Sequence, residues 1–224
     1  MTNRDILLFH DIHTKSGFQS KSSIKYKIKA KKFYQLIGIL KRSLKKDHRP
    51  QLTFDDGGNS INQKVLSDLK NDFQITLFIA TNYIDKKGFL SSKDLKKIFE
   101  MGISIGSHSH NHIDMRILKK EEFIADWVKS KSNLEKLLKA EISSCSIPFG
   151  KYYDWQLIEL TKIGFKCIFT SDNYELKITE NIKTISRIPV DSRFYMFEFF
   201  FLKLFNVKYL KFRFHIAKTL KRWI

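Results

Sequence analysis

The sequence holds only 2 cysteines in 224 residues, too few for a disulfide scaffold. Cys145 and Cys167 both lie inside apolar runs, which reads as buried free thiols and fits a reducing compartment. Proline and glycine are scarce too, at 3 and 9 residues, which excludes collagen-like and low-complexity chains. No uncharged stretch approaches the ~20 residues that cross a bilayer. The opening Met-Thr-Asn-Arg-Asp-Ile-Leu-Leu-Phe-His lacks the apolar segment of a signal peptide, so a cytoplasmic protein, soluble or peripheral, is expected. Acidic residues are in deficit, 23 against 41 Lys and Arg, for a net charge of +18.

That charge is unevenly placed. Residues 1–50 carry 13 Lys/Arg against 3 Asp/Glu, and residues 194–224 carry 7 against 1, whereas residues 51–193 carry 21 against 19. Cationic ends around a near-neutral centre attract phosphate, whether on nucleic acid, anionic lipid or a phosphorylated substrate. Charge alone does not choose among these.

With 42 % hydrophobic residues the chain can bury one sizeable core. Short β-branched and aromatic runs predict strands at Ile6–His10, Gln51–Phe54, Ile75–Ala80, Ile103–Ser107, Ser144–Ile147, Lys166–Thr170 and Thr184–Ile188. Helical spacing falls between them, at about 30–46, 60–70, 91–101, 120–139 and 154–163. Ser91 and Ser92 suit a helix start and Gly102 a stop, while Glu121 and Glu122 favour the positive end of the helix near 120. Strands alternating with helices predict a parallel α/β architecture, a barrel or a doubly wound sheet, in one domain. The Lys- and Ser-rich segment 11–29 shows no periodicity and is expected to be a long loop.

The chemically active side chains collect at the ends of predicted strands: His10-Asp11, Asp55-Asp56-Gly57-Gly58, His108-Ser109-His110-Asn111-His112 and Pro148-Phe149-Gly150. In parallel α/β folds those ends share one face, so the clusters should converge there. Adjacent carboxylates repel and call for a cation or a shared proton, although Asp-Gly also makes ordinary turns. His108 and His112, four apart, can present two imidazoles together, and imidazole with carboxylate suits Zn2+ or a similar ion. One Asp and two His would leave open positions for water and substrate.

Thr53-Phe54-Asp55-Asp56-Gly57 and His108-Ser109-His110-Asn111-His112 resemble the first two motifs of the polysaccharide deacetylases, the nodulation-type carbohydrate esterases of family 4. Pro148-Phe149-Gly150 resembles the third, and the likeness extends over about residues 51–190. It implies a distorted (β/α)7 barrel that hydrolyses N-acetyl groups on sugars. It also implies Asp56, His108 and His112 as ligands of one divalent ion, most simply Zn2+, and Asp55 as general base. The backbone N–H of Phe149 would meet the oxyanion, with Pro148, Gly150 and Arg187 grouped alongside it as oxyanion- and substrate-binding residues. Ser109 would brace the histidine loop, and His110 is left out of the site.

Two departures stand out. The Arg that many members carry two residues before the Pro is Ser146 here, and Arg187 is the candidate to supply that charge from elsewhere. The late Leu-x-His motif that supplies the general acid is missing, since His215 is the only histidine after His112. The poly-N-acetylglucosamine deacetylases of biofilm bacteria share this absence and carry a His after their first strand. Leu8-Phe9-His10-Asp11-Ile12 resembles that element, which assigns the acid to His10.

The expected organisation is a barrel over residues 1–193 and a basic, aromatic-rich helical extension over 194–224. In the extension, aromatics such as Phe199, Phe205 and Trp223 interleave with Lys203, Lys211 and Arg222. Such a stretch suits a membrane interface or single-stranded nucleic acid, and equally a helix that covers the barrel. The leading expectation is a de-N-acetylase acting on a polyprenyl- or nucleotide-linked N-acetyl sugar, in the cytoplasm or at the inner face of the cell membrane. The alternative is a catalytically silent carbohydrate-binding protein. Nucleic acid, supported by charge alone, is disfavoured as a partner.

Overall fold

The computed structural model describes residues 5–13, 26–172, 175, 178–179, 182–190, 201, 208–212 and 215–216. Strands and helices alternate: β1 (Ile6–Phe9), β2 (Ile12–His13), β3 (Ile28–Lys29), α1 (Ala30–Ser43), β4 (Gln51–Phe54), α2 (Gln63–Lys70), β5 (Ile75–Ile79), α3 (Ser92–Glu100), β6 (Ser104–Ser107), α4 (Lys120–Leu138), β7 (Ser144–Ser146), α5 (Asp154–Lys162), β8 (Cys167–Thr170), β9 (Thr184–Ser186) and β10 (Ile188–Pro189). The main sheet is parallel throughout, in the order β10-β1-β4-β5-β6-β7-β8-β9.

The two ends of that order are consecutive in sequence. β9 pairs with β8 through Thr184↔Ile168, while β10 pairs with β1 through Ile188↔Leu7 and Pro189↔Leu8. The seventh predicted strand therefore breaks at Arg187 and reaches both neighbours, curling the sheet into a distorted (β/α)7 barrel. A local interruption that redirects a strand is a common way to close such a sheet.

Helix faces explain the packing. Phe33, Leu36, Ile37 and Leu40 of α1 are buried, while Lys31 and Tyr34 face out. Phe33 lies 5.4 Å from Phe9 and 6.2 Å from Phe54, which join α1 to β1 and β4. Each such ring is worth ~1.5–3 kcal/mol in burial. Ser91, one of the two positions the sequence suggests for the start of α3, caps it in a reciprocal pair with Asp94. On α4, Phe123, Trp127 and Leu134 face inward, with Trp127 edge-on to Phe165 at 5.7 Å.

Three expectations are corrected. Segment 11–29 is not loop throughout: Ile12 and Ile28, both buried, pair β2 with β3 in parallel. Two apolar residues that far apart make no periodic signal. Cys145 is fully buried, but Cys167 at the start of β8 is only half-buried. Helix α1 stops at Ser43 rather than 46, where a short turn over Lys46–His48 takes over. Most of the extension 194–224 lies outside the described residues, but Leu210 is buried and Phe212 is 63 % exposed. Among the described residues no helix is long and apolar enough to cross a membrane.

Candidate active site

The strand ends converge as the parallel topology requires. Asp55 and Asp56 follow β4, His108 follows β6, and the backbone N–H of Asp55 donates to Phe9 O at 3.0 Å while that of His108 donates to Ile79 O at 2.9 Å. Asp56, His108 and His112 each offer one ligand atom, and the three atoms lie within 4.8 Å of one another. Asp56 Oδ1 faces His112 Nε2 at 3.0 Å and His108 Nε2 at 3.3 Å. This oxygen is buried and has no hydrogen-bond partner. A buried orphan carboxylate oxygen between two imidazole nitrogens is the donor set a divalent cation completes. His108 Nδ1 donates to the Ser146 carbonyl at 2.8 Å, which leaves Nε2 as the lone-pair nitrogen facing Asp56.

Burial would raise the Asp56 carboxyl, but the two imidazoles outweigh it and hold the group well below the usual carboxylate range. Burial lowers His108, and Asp55 and Asp56 more than reverse this, so its imidazole sits above its ordinary value. The same negative potential attracts a cation.

Asp55 points elsewhere. Its Oδ1 accepts from Arg187 Nη1 at 2.7 Å, and its Oδ2 from Arg187 Nη2 at 2.9 Å and Ser146 Oγ at 3.0 Å. Burial favours the protonated acid here, and Arg187 with His108 overcomes it, so the carboxylate stays ionised below its ordinary range. Arg187 is 1 % exposed, inside the barrel, where its guanidinium also donates to Thr170 O at 3.1 Å and to Ser146 Oγ at 3.0 Å. It stands behind Asp55, away from any surface a substrate could reach. The grouping of Arg187 with substrate-binding residues is thereby corrected, while the charge that Ser146 cannot carry is present. The small Ser146 side chain leaves room for it.

The backbone is strained where the site is built. Among the described residues six non-glycines have positive φ, and four of them are Asp56 (74°), Ser109 (64°), His112 (52°) and Phe149 (59°). Such conformations cost ~1–3 kcal/mol each and persist where surrounding contacts over-determine them. Ser109 Oγ accepts from the His112 backbone N–H at 3.0 Å. Asp126 of α4 accepts from the backbone N–H groups of His110 at 2.8 Å and Asn111 at 3.0 Å. Ser130, one turn on, donates to Ser109 O at 3.0 Å. His110 is buried with its Nδ1 2.8 Å from Thr81 Oγ1, and it is not one of the three grouped ligand residues.

Asp126 and Ser130 escape the sequence reading, although a signal exists. They sit in the inward row Phe123, Asp126, Trp127, Ser130, Leu134, where polar groups need a specific partner.

The remaining candidates follow β1 and β7. The ring of Phe149 lies 4.9 Å from that of His112 and is 51 % exposed, with Tyr83 5.9 Å from His112. Pro148 is buried, and Gly150 has φ 61°, where a Cβ would also crowd Ser171 Oγ, so the position favours glycine. His10 stacks on Tyr26 at 4.7 Å. Burial lowers its imidazole, partly offset by the charges of Asp56 and Asp55.

The polysaccharide deacetylase family profile matches residues 45–168, over half of the chain. The chain belongs to the polysaccharide deacetylase family. Of curated proteins, this deacetylase-family chain is similar to YxkH of Bacillus subtilis, provisionally named a polysaccharide deacetylase, at 24 % identity over 140 residues, or 62 % of this chain. It spans half the length of that relative. Among solved structures, the Streptococcus pyogenes deacetylase PplD, in complex with acetate, superposes with a TM-score of 0.68 at 20 % identity, covering 85 % of this chain and 93 % of PplD. A de-N-acetylase from Aggregatibacter actinomycetemcomitans gives 0.69 at 14 % identity, covering 86 % and 97 %. Those likenesses show a shared fold.

Proposed function

We propose that this polysaccharide deacetylase-family protein is a metal-dependent hydrolase that removes N-acetyl groups from an amino sugar. The observation that carries the reading is a buried carboxylate, Asp55, held ionised beside the Asp56–His108–His112 group. Those three residues would hold one divalent cation, Zn2+ being the ion their donor set suits, and a cation bound there supplies Lewis-acid polarisation of the acetamide and a more acidic water. Asp55 Oδ2, 3.7 Å from His108 Nε2, takes the proton of the attacking water. The backbone N–H of Phe149 meets the developing oxyanion, and His10 returns a proton to the departing sugar amine.

The test pairs metal analysis with deacetylation of N-acetylglucosamine oligomers and of a lipid-linked N-acetyl sugar. Asp55→Asn should keep the metal and lose ~10²–10⁴-fold in kcat, the usual worth of a general base. Metal lost from Asp55→Asn and kept in Asp56→Asn would reverse the two roles. A chain that binds metal and sugar but never turns over would be the silent binding protein.

The cationic charge supports a substrate carrying phosphate, polyprenyl- or nucleotide-linked, and exposed apolar side chains on neighbouring loops favour the polyprenyl form. Phe149, Tyr153 and Ile117 are 51 %, 52 % and 74 % exposed on the loops after β6 and β7, with Lys151 beside them. We place the protein in the cytoplasm, peripheral to the anionic inner face of the cell membrane, where each Lys or Arg adds ~1 kcal/mol. Flotation with vesicles containing anionic lipid should show binding that weakens with salt and falls when residues 194–224 are removed. Indifference to such vesicles would favour a soluble sugar.

A further inference from the structure

The mechanism makes no use of the buried carboxylate of Asp11. Asp11 is 2 % exposed, directly after His10, and lies against the turn that carries Asp55 and Asp56. Its Oδ1 accepts from Ser60 Oγ, and that same hydroxyl accepts from the Ile12 N–H at 3.0 Å. Ser60 is itself buried. On the other side, a Cβ added to Gly58 would come within 2.4 Å of Asp11 Oδ1 and 2.6 Å of Oδ2. Only a bare Cα leaves the carboxylate its place. The main chain of Asp11 does a second job: its carbonyl accepts from the Ile28 N–H at 3.0 Å, which starts the β2–β3 pair two residues beyond Tyr26, the ring stacked on His10.

We propose that Asp11 is a positioning residue: its carboxylate, seated between Ser60 Oγ and the bare Cα of Gly58, clasps the β1 end to the Asp55–Ser60 turn and so sets where His10 stands. The catalytic consequence rests on the reading of His10 as the general acid, while the placement of the ring does not. Burial pushes the Asp11 carboxyl up to about 6, against the pull of Ser60 and Lys27, so near neutral pH it is mostly ionised and accepts strongly from Ser60. Asparagine keeps an acceptor at Oδ1 and the same volume. Alanine keeps neither.

The experiment uses the full chain loaded with Zn2+, with Asp11→Ala, Asp11→Asn, Gly58→Ala and the Asp11→Ala/Gly58→Ala pair. Histidine ring resonances, assigned by loss of one signal in His10→Ala, report placement without any substrate. Asp11→Ala should shift or broaden the His10 signals and leave those of His108 and His112 in place, and Asp11→Asn should restore them. Gly58→Ala should disturb the same signals, and adding it to Asp11→Ala should change little more, because the clash is gone. On N-acetylglucosamine oligomers Asp11→Ala should lower kcat ~10–100-fold at unchanged KM and metal content. Unmoved His10 resonances in Asp11→Ala, or additive effects in the pair, would overturn the proposal. Full activity in His10→Ala would instead overturn the acid assignment and leave the ring-placement result standing or falling by itself.

Discussion

His112→Ala is expected to abolish both cation binding and hydrolysis while leaving the barrel folded. His112 sits on the loop after β6, with its side chain 15 % exposed and its Nε2 3.0 Å from Asp56 Oδ1. It packs against the rings of Tyr83, His108 and Phe149 at the strand ends, so truncation should remove the proposed ligand at a modest cost in packing. Two remaining ligands would not retain a divalent ion against water and buffer. The wild-type chain should gain stability with added Zn2+, by ~2.7 kcal/mol at a hundredfold excess over Kd, because the three ligands converge only when folded. The variant should show no such gain and no turnover, with a metal-free melting temperature close to that of the wild type. Equal stabilisation of both chains by Zn2+ would remove His112 from the ligand set.

Much of this site is legible in sequence because parallel α/β topology turns strand ends into neighbours. Asp55-Asp56, His108 and His112 each follow an apolar run, and their meeting needs only that the runs be parallel strands. Other features depend on contacts with no local mark. Arg187 lies 132 residues from Asp55, and only closure of the barrel between β9 and β10 brings it inside. Positive φ at Asp56, Ser109, His112 and Phe149 is equally silent, since none is glycine. Asp11 reads as part of a loop because its partners, Ser60 and Gly58, come from a different strand's turn. The absent Arg before Pro148 looks like a lost function in one dimension; in three, the charge has been relocated.

That relocation carries the other large expected effect. Arg187→Met removes the cation that neutralises Asp55 and leaves a buried carboxylate with Ser146 Oγ and the more distant His108 for partners. Removing one partner of a buried pair costs ~3–5 kcal/mol, because the other charge stays desolvated. Methionine fills much of the volume between Phe78 and Phe169, which face the guanidinium at 5.3 and 6.0 Å, so packing loss is the smaller part. The sign with pH follows from the Asp55 carboxyl being held below its ordinary range, mainly by Arg187 against burial. In the wild type, the stability from its ionised form is present above the unfolded value of ~3.9 and is lost as pH falls through the lower folded value. In Arg187→Met burial is no longer opposed by that cation, the carboxyl rises, and the deficit should be large at neutral pH and shrink as the acid protonates. Activity should follow the same group. The acidic limb of the kcat/KM profile should move to higher pH in Arg187→Met, and Arg187→Lys, which keeps charge but not the two-pronged contact, should fall between. Thermal melts from pH 4 to 8 alongside kcat/KM profiles at fixed Zn2+ provide the measurement. An acidic limb that stays where the wild type has it would mean that Arg187 supports the barrel without setting the charge of the base.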